Sequence, residues 1–153
     1  MKLVAIPDKK LEEYRIDAMF DCYKWDPQFM DNNTLAKHVL VLSEDEYKEV
    51  LDLTEKLDIE TRNAEEYINN NFEISKKLYL PKKINKELRN MSNYDASKHV
   101  RLMRYDFHPN VEGKWAVSEV NSDVPGGFAE ASLLPKLAIK MLNTKQYYSI
   151  DFG

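Results

Sequence analysis

One cysteine, four glycines and no apolar run of membrane-spanning length set the first limits on this 153-residue chain. Cys22 alone can form neither an intramolecular disulfide nor a cysteine cluster for a metal, and this predicts a reducing, cytoplasmic setting. The glycines are too few and wrongly spaced for a nucleotide grip, since neither G-x-x-x-x-G-K-[ST] nor G-x-G-x-x-G occurs. The histidines His38, His99 and His108 show no zinc spacing. Nucleic acid is not an expected partner, because 22 Lys and Arg face 26 Asp and Glu, giving a net charge of -4 rather than a basic excess. The opening MKLVAIPDKK has too short an apolar run before Pro7 and Asp8 for a signal peptide, and no stretch is long enough to span a bilayer, so no membrane partner is expected. Internal repeats, low-complexity tracts and Gly/Pro/Ser-rich linkers are also missing.

What is present is an apolar fraction of 43%, enough for a core without staples, and residues 1–153 read as a single domain. Residues 3–6 suit a short strand, and residues 9–20 a helix with Leu11, Tyr14, Ala18 and Met19 turned inward. Tyr23, Trp25, Pro27 and Phe29 form an aromatic, irregular stretch. It reads either as a substrate wall or, preferably, as ordinary packing against the helices. Ser43-x-x-Glu46 is a capping box with Leu42 and Tyr47 placed as its hydrophobic staple, and so starts a helix. Apolar residues at helical spacing carry that helix to the asparagines at 69–71, with a bend allowed near Asp58 and the acidic side chains taken as a solvent face. Pro81 opens another helix to about residue 90. With residues 76 and 77 it makes the one basic region, either a site for phosphate or an acidic partner or, preferably, a solubilising surface. Residues 92–95 read as a loop.

The informative stretch runs from Val100 to Leu142. Residues 100–107 and 115–121 read as two strands joined by the turn residues Pro109, Asn110 and Gly113. Alternate side chains share a face, so Leu102, Arg104 and Asp106 line one face of the first strand, and Trp115, Val117, Glu119 and Asn121 one face of the second. An antiparallel pairing with Asp106 opposite Val117 puts Arg104 opposite Glu119 and gathers four polar side chains in one patch. Two carboxylates and an amide oxygen suit magnesium, and arginine offers a charged fork for a phosphoryl or carboxylate group. The alternative is a cross-strand salt bridge on a solvated face. Ser122, Asp123, Val124, Pro125, Gly126 and Gly127 then lead into a helix whose first N–H groups would attract an anion. Phe128, Ala131, Leu134, Leu137, Ala138 and Met141 line one face of that helix, which is kinked or interrupted near Pro135. His108 lies beside the patch, either in support of it or without a task.

Arg104-Tyr105-Asp106, followed by Ser118-Glu119-Val120-Asn121-Ser122-Asp123-Val124-Pro125 and a helix with Glu130-Ala131, resembles the Arg-x-Asp … Glu-x-Asn-x-Asp-x-Pro signature of glutathionylspermidine synthase-like proteins. These are carboxylate–amine ligases of ATP-grasp type. The resemblance implies an α+β or α/β fold, pre-ATP-grasp-like, with a small sheet and an antiparallel hairpin at about 100–121 flanked by helices. It implies Asp106, Glu119 and Asn121 as magnesium ligands and Arg104 as the catalytic, acyl-substrate-contacting arginine. Ser122, Asp123, Gly126 and Gly127 would line the substrate. The cofactors implied are Mg2+ and ATP, the latter held mainly by a C-terminal part absent from these residues. The partners are a small carboxylate and an amine. The chain is expected to be the N-terminal portion of such a ligase, inactive alone. A non-catalytic binding module keeping the same patch is the alternative, and a metal-dependent phosphohydrolase is a third reading that lacks a nameable base.

Overall fold

A computed structural model describes residues 1–91, 95–98 and 100–150. The loop at Ser92, Asn93 and Tyr94, His99, and the end at Asp151, Phe152 and Gly153 lie outside the described residues. The fold is α+β. Five α-helices accompany six short strands paired into three two-stranded antiparallel sheets among the described residues. The chain divides into two compact units, Met1–Tyr47 with Val124–Gly153, and Lys48–Asp123.

In the first unit, strand β1 (Lys2–Ala5) pairs with β4 (His38–Val41), so that Leu3 faces Leu40 and Val4 faces Val39. Between them lie a 3-10 turn at Asp8–Lys10, helix α1 (Leu11–Phe20) and the small ribbon of β2 (Gln28–Phe29) and β3 (Asn32–Asn33). Helix α5 (Phe128–Leu142) follows Gly127, whose φ of +93° is a conformation that favours glycine. Ile6, Tyr14, Ala18, Cys22, Leu35, Leu137 and Met141 form the core, with Leu11, Val39, Leu133 and Leu134 around them. Tyr14 and Ala18 are one helical turn apart on α1, and Leu137, Ala138 and Met141 supply the facing side of α5. Lys140 on α5 donates to Asp17 on α1 at 2.8 Å.

Helix α5 is not interrupted at Pro135, which lies within it. One detail of α5 differs from expectation. Its first turn is not core, because Phe128 and Ala131 are exposed; partial burial against the core begins at Leu133 and Leu134 and full burial at Leu137. The amphipathic period correctly orders the face, but a stripe says nothing about how much of its length another element covers.

The division between the units falls within helix α2 (Glu44–Asn70), which is helical throughout, Asp58 included. Its capping box is closed: the Ser43 N–H donates to Glu46 Oε2 at 2.8 Å, and the Glu46 N–H to Ser43 Oγ at 3.3 Å. In the second unit, α3 (Phe72–Ser75) leads through a 3-10 turn at Lys76–Leu78 to α4 (Lys82–Asn90). Arg89 and Lys76 both lie over the Phe72 ring, at 3.7 and 4.6 Å from its centre. The acidic residues of α2 are not all solvent-facing. Arg101 reaches Glu65 at 2.7 Å and Asp58 at 3.5 Å, fastening the approach to strands β5 (Arg104–Pro109) and β6 (Trp115–Asn121) onto that helix. Among the described residues of this unit, Ser75 and Ala96 are the fully buried ones.

Candidate functional site

The hairpin that carries the charged patch turns through Asn110. Its side-chain oxygen accepts from the N–H groups of Glu112 and Lys114, each at 2.9 Å, and Gly113 sits at a φ of +76°. Pairing then sets Pro109 opposite Trp115, His108 opposite Ala116 and Phe107 opposite Val117. A bulge follows. Ser118 is the extra residue, its hydroxyl donating to the Asp106 carbonyl at 3.0 Å, and beyond it Asp106 faces Glu119, Tyr105 faces Val120 and Arg104 faces Asn121.

This register differs from the expected one by two residues at the charged end. An even shift keeps side chains on the same face, so Arg104, Asp106, Glu119 and Asn121 are still brought together. The bulge removes Trp115 and Val117 from their company, because those residues now pair with Pro109 and Phe107. Unbroken alternation cannot foresee an extra residue in one strand. The opposite face, expected to be core, is only partly covered: Tyr105 and Phe107 are half-buried, while Ser118 and Val120 are exposed.

Electrostatics organise the patch. Two carboxylates directly opposite one another repel, and Arg104 lies between them. Its Nε donates to Asp106 Oδ1 at 2.7 Å and its Nη2 to Oδ2 at 3.1 Å, a two-pronged grip. The same guanidinium is 3.8 Å from Glu119 Oε1. The hydrogen bond from Arg104 holds the Asp106 carboxyl below its ordinary pKa, and the bond to Asp106 raises that of Arg104. Asn121 turns its oxygen to the N–H of Asp123 at 3.2 Å. All of these groups stand at a partly exposed surface.

Magnesium characteristically takes one or two carboxylates and completes its shell with water and substrate phosphate. Asp106 and Glu119, side by side, supply donors of the right kind, and each Asp106 oxygen retains a second lone pair beyond its bond to Arg104. The patch is not an all-protein cage: no group of three or more His, Cys, Asp or Glu among the described residues could hold a metal.

The remaining predicted residues divide between the units. Ser122 and Asp123 are exposed and follow β6 in the second; Gly126 and Gly127 belong to the first, where Gly127 caps α5. A Cβ on either glycine would meet nothing within 4 Å, so the conformation of Gly127, rather than close approach, demands glycine there. Val124 is also left-handed, with a φ of +48°, a costly state for a β-branched residue.

Sequence reading missed two groups. Arg101 ties the strand approach to side chains 36 and 43 residues earlier. Lys24 bonds Asp26 and, at 3.2 Å, Glu130 in the first turn of α5. Glu65, Asp58 and Glu130 are all remote in sequence from the cations they meet, so no local signal marks these three contacts, whereas Asp26 lies only two residues from Lys24. Separately, the first unit contains an apolar cavity of about 300 Å³ lined by Val39, Val41, Leu42, Pro135, Ile139 and Tyr147. None of the predicted site residues lines it. Cys22 is buried in that unit; burial first, then Asp21 and Asp17, push its thiol pKa up, which leaves it a packing residue.

No protein-family profile, no characterised protein and no solved structure matches the chain.

Proposed function

We propose that the charged face of β5 and β6 is the acyl-substrate and magnesium site of an ATP-dependent carboxylate–amine ligase, of the kind that glutathionylspermidine synthase-like proteins represent. The observation that carries this reading is the cross-strand pairing of Asp106 with Glu119, with Arg104 gripping the first and lying beside the second. An exposed ion pair needs only one carboxylate. Two held face to face, with an arginine and an amide on the same strands, suit a cation and a phosphoryl group together.

In this chemistry the γ-phosphoryl group of ATP passes to a carboxylate, and an amine then displaces phosphate to form the amide. When bound, magnesium neutralises phosphate charge and orients the phosphates. Arg104, permanently charged and fixed by Asp106, binds the acyl carboxylate and balances charge that develops on the transferring group. In this reading the nucleotide is gripped mainly by a C-terminal portion of the ligase, and the 153 residues alone bind without turning over.

Paramagnetic Mn2+ tests the site in the isolated chain. It should broaden the amide signals around Asp106 and Glu119 before any others, and Asp106→Asn should weaken this about tenfold or more. In a polypeptide that includes the ATP-gripping portion, Asp106→Ala or Glu119→Ala should abolish ATP-dependent amide formation with the fold intact. Absence of local broadening, with wild-type turnover in both variants, would reduce the patch to a cross-strand salt bridge.

A further inference from the structure

A cluster of exposed apolar side chains lies elsewhere, on the first unit. Phe20 at the end of α1 is 74% exposed, Tyr23 73%, Trp25 85%, Phe29 66% and Met30 78%. The aromatic stretch is therefore not packed against the helices, contrary to the reading preferred from sequence. These side chains belong to one locality. The Lys24 N–H donates to the Ala18 carbonyl at 2.9 Å, folding Tyr23 and Trp25 back beside the end of α1. Arg15 on α1 donates to Gln28 on β2 at 2.9 Å, bringing the ribbon with Phe29 and Met30 alongside. Ile16, 43% exposed, extends the patch one turn back along the Phe20 side of α1.

Size decides what such a surface is for. Aromatic side chains bring about 150–250 Å² each to an interface, so with Met30 the patch offers roughly 700 Å². The largest apolar patch on a typical monomer is about 300–600 Å², whereas each partner in a standard stable interface contributes about 800 Å². Its composition is that of an interface centre, where Trp, Tyr, Phe, Met and Arg are enriched.

We infer that this patch is an interface with a second copy of the chain, a two-fold dimer centred on Trp25 and Phe29. Charge favours a copy of itself as the occupant. The cations at the patch are already balanced within the unit, Arg15 by Glu12 and Lys24 by Asp26 and Glu130. Asp17 is paired with Lys140, which leaves Asp21 and Asp31 as a polar rim. No strong field of one sign invites an oppositely charged partner. A two-fold contact sets like against like, which apolar rings tolerate and a charged strip does not. The basic stretch from Lys76 to Arg89, by contrast, would repel its own copy. Rim carboxylates that repel weakly across the axis are screened by salt, so added salt should strengthen the dimer.

Sedimentation velocity on the 153-residue chain, from low to high micromolar concentration, tests this. The expected result is a monomer–dimer equilibrium favoured by salt, with tryptophan emission shifting to the blue as Trp25 is buried. Trp25→Asp and Phe29→Asp should each weaken association by about tenfold or more. Circular dichroism should be unchanged, because both side chains are exposed. Tyr79→Asp, exposed on the second unit, should leave association as it was. A chain that stays monomeric throughout, or a dimer that neither Trp25→Asp nor Phe29→Asp weakens, would overturn the proposal.

Discussion

Asp106 receives the Arg104 guanidinium through both of its oxygens, and this pair sets the acid behaviour of the patch. A carboxylate whose pKa is lowered on folding contributes stability above its ordinary value, near 3.9, and loses it as pH falls through the lower folded value. Both side chains are more than a third exposed, so screening keeps the effect on global stability small. The expected observation is local: by carboxylate NMR, Asp106 should titrate below the ordinary range, and Arg104→Gln should return it there. An unmoved titration in the variant would show that the grip does not persist in solution. Sharing of a face by Arg104, Asp106, Glu119 and Asn121 was legible from strand periodicity. Which pairs stand opposite one another was not, because the Ser118 bulge resets the register and is visible only once both strands are aligned.

The clearest element is α2, whose capping box and asparagine stop bound it in the sequence and in the structure alike. Ser43→Ala should cost about 0.5–2 kcal/mol, read as a lower denaturation midpoint together with lost amide protection at Glu46. Helix α4 likewise begins just after Pro81, as fixed-φ geometry leads one to expect. Element faces are harder to read than element bounds. The first turn of α5 is apolar yet exposed, and the aromatic stretch around Trp25 is apolar and largely uncovered. Local sequence specifies what a face is made of; coverage depends on an element supplied from elsewhere in the chain.

At the scale of the whole molecule, the buried hydrophobic cluster belongs to the first unit, where α1 and α5 meet across Tyr14, Ala18, Leu137 and Met141. The hairpin of the second unit has half-buried and exposed side chains on both faces. Hydrogen exchange should therefore be slowest in α1 and in the last two turns of α5, and faster in β5 and β6. Leu137→Ala should destabilise the first unit by about 2–5 kcal/mol in chemical denaturation. A ligand that orders the hairpin, as the proposed magnesium and acyl substrate would, should raise protection there and little elsewhere.

By itself the sequence determined the kinds and approximate limits of most elements, through caps, proline positions and periodicity, and it brought four polar residues to one face of a hairpin. These are short-range effects, settled by residues three or four apart or alternating along a strand. Tertiary structure alone decided that Asp106 meets Glu119, that Arg101 reaches back to Glu65 and Asp58, that Lys24 reaches forward to Glu130, and that the Trp25 segment lies open. Each depends on where distant parts of the chain come to rest, because pairing and burial are properties of two surfaces and one segment encodes only its own.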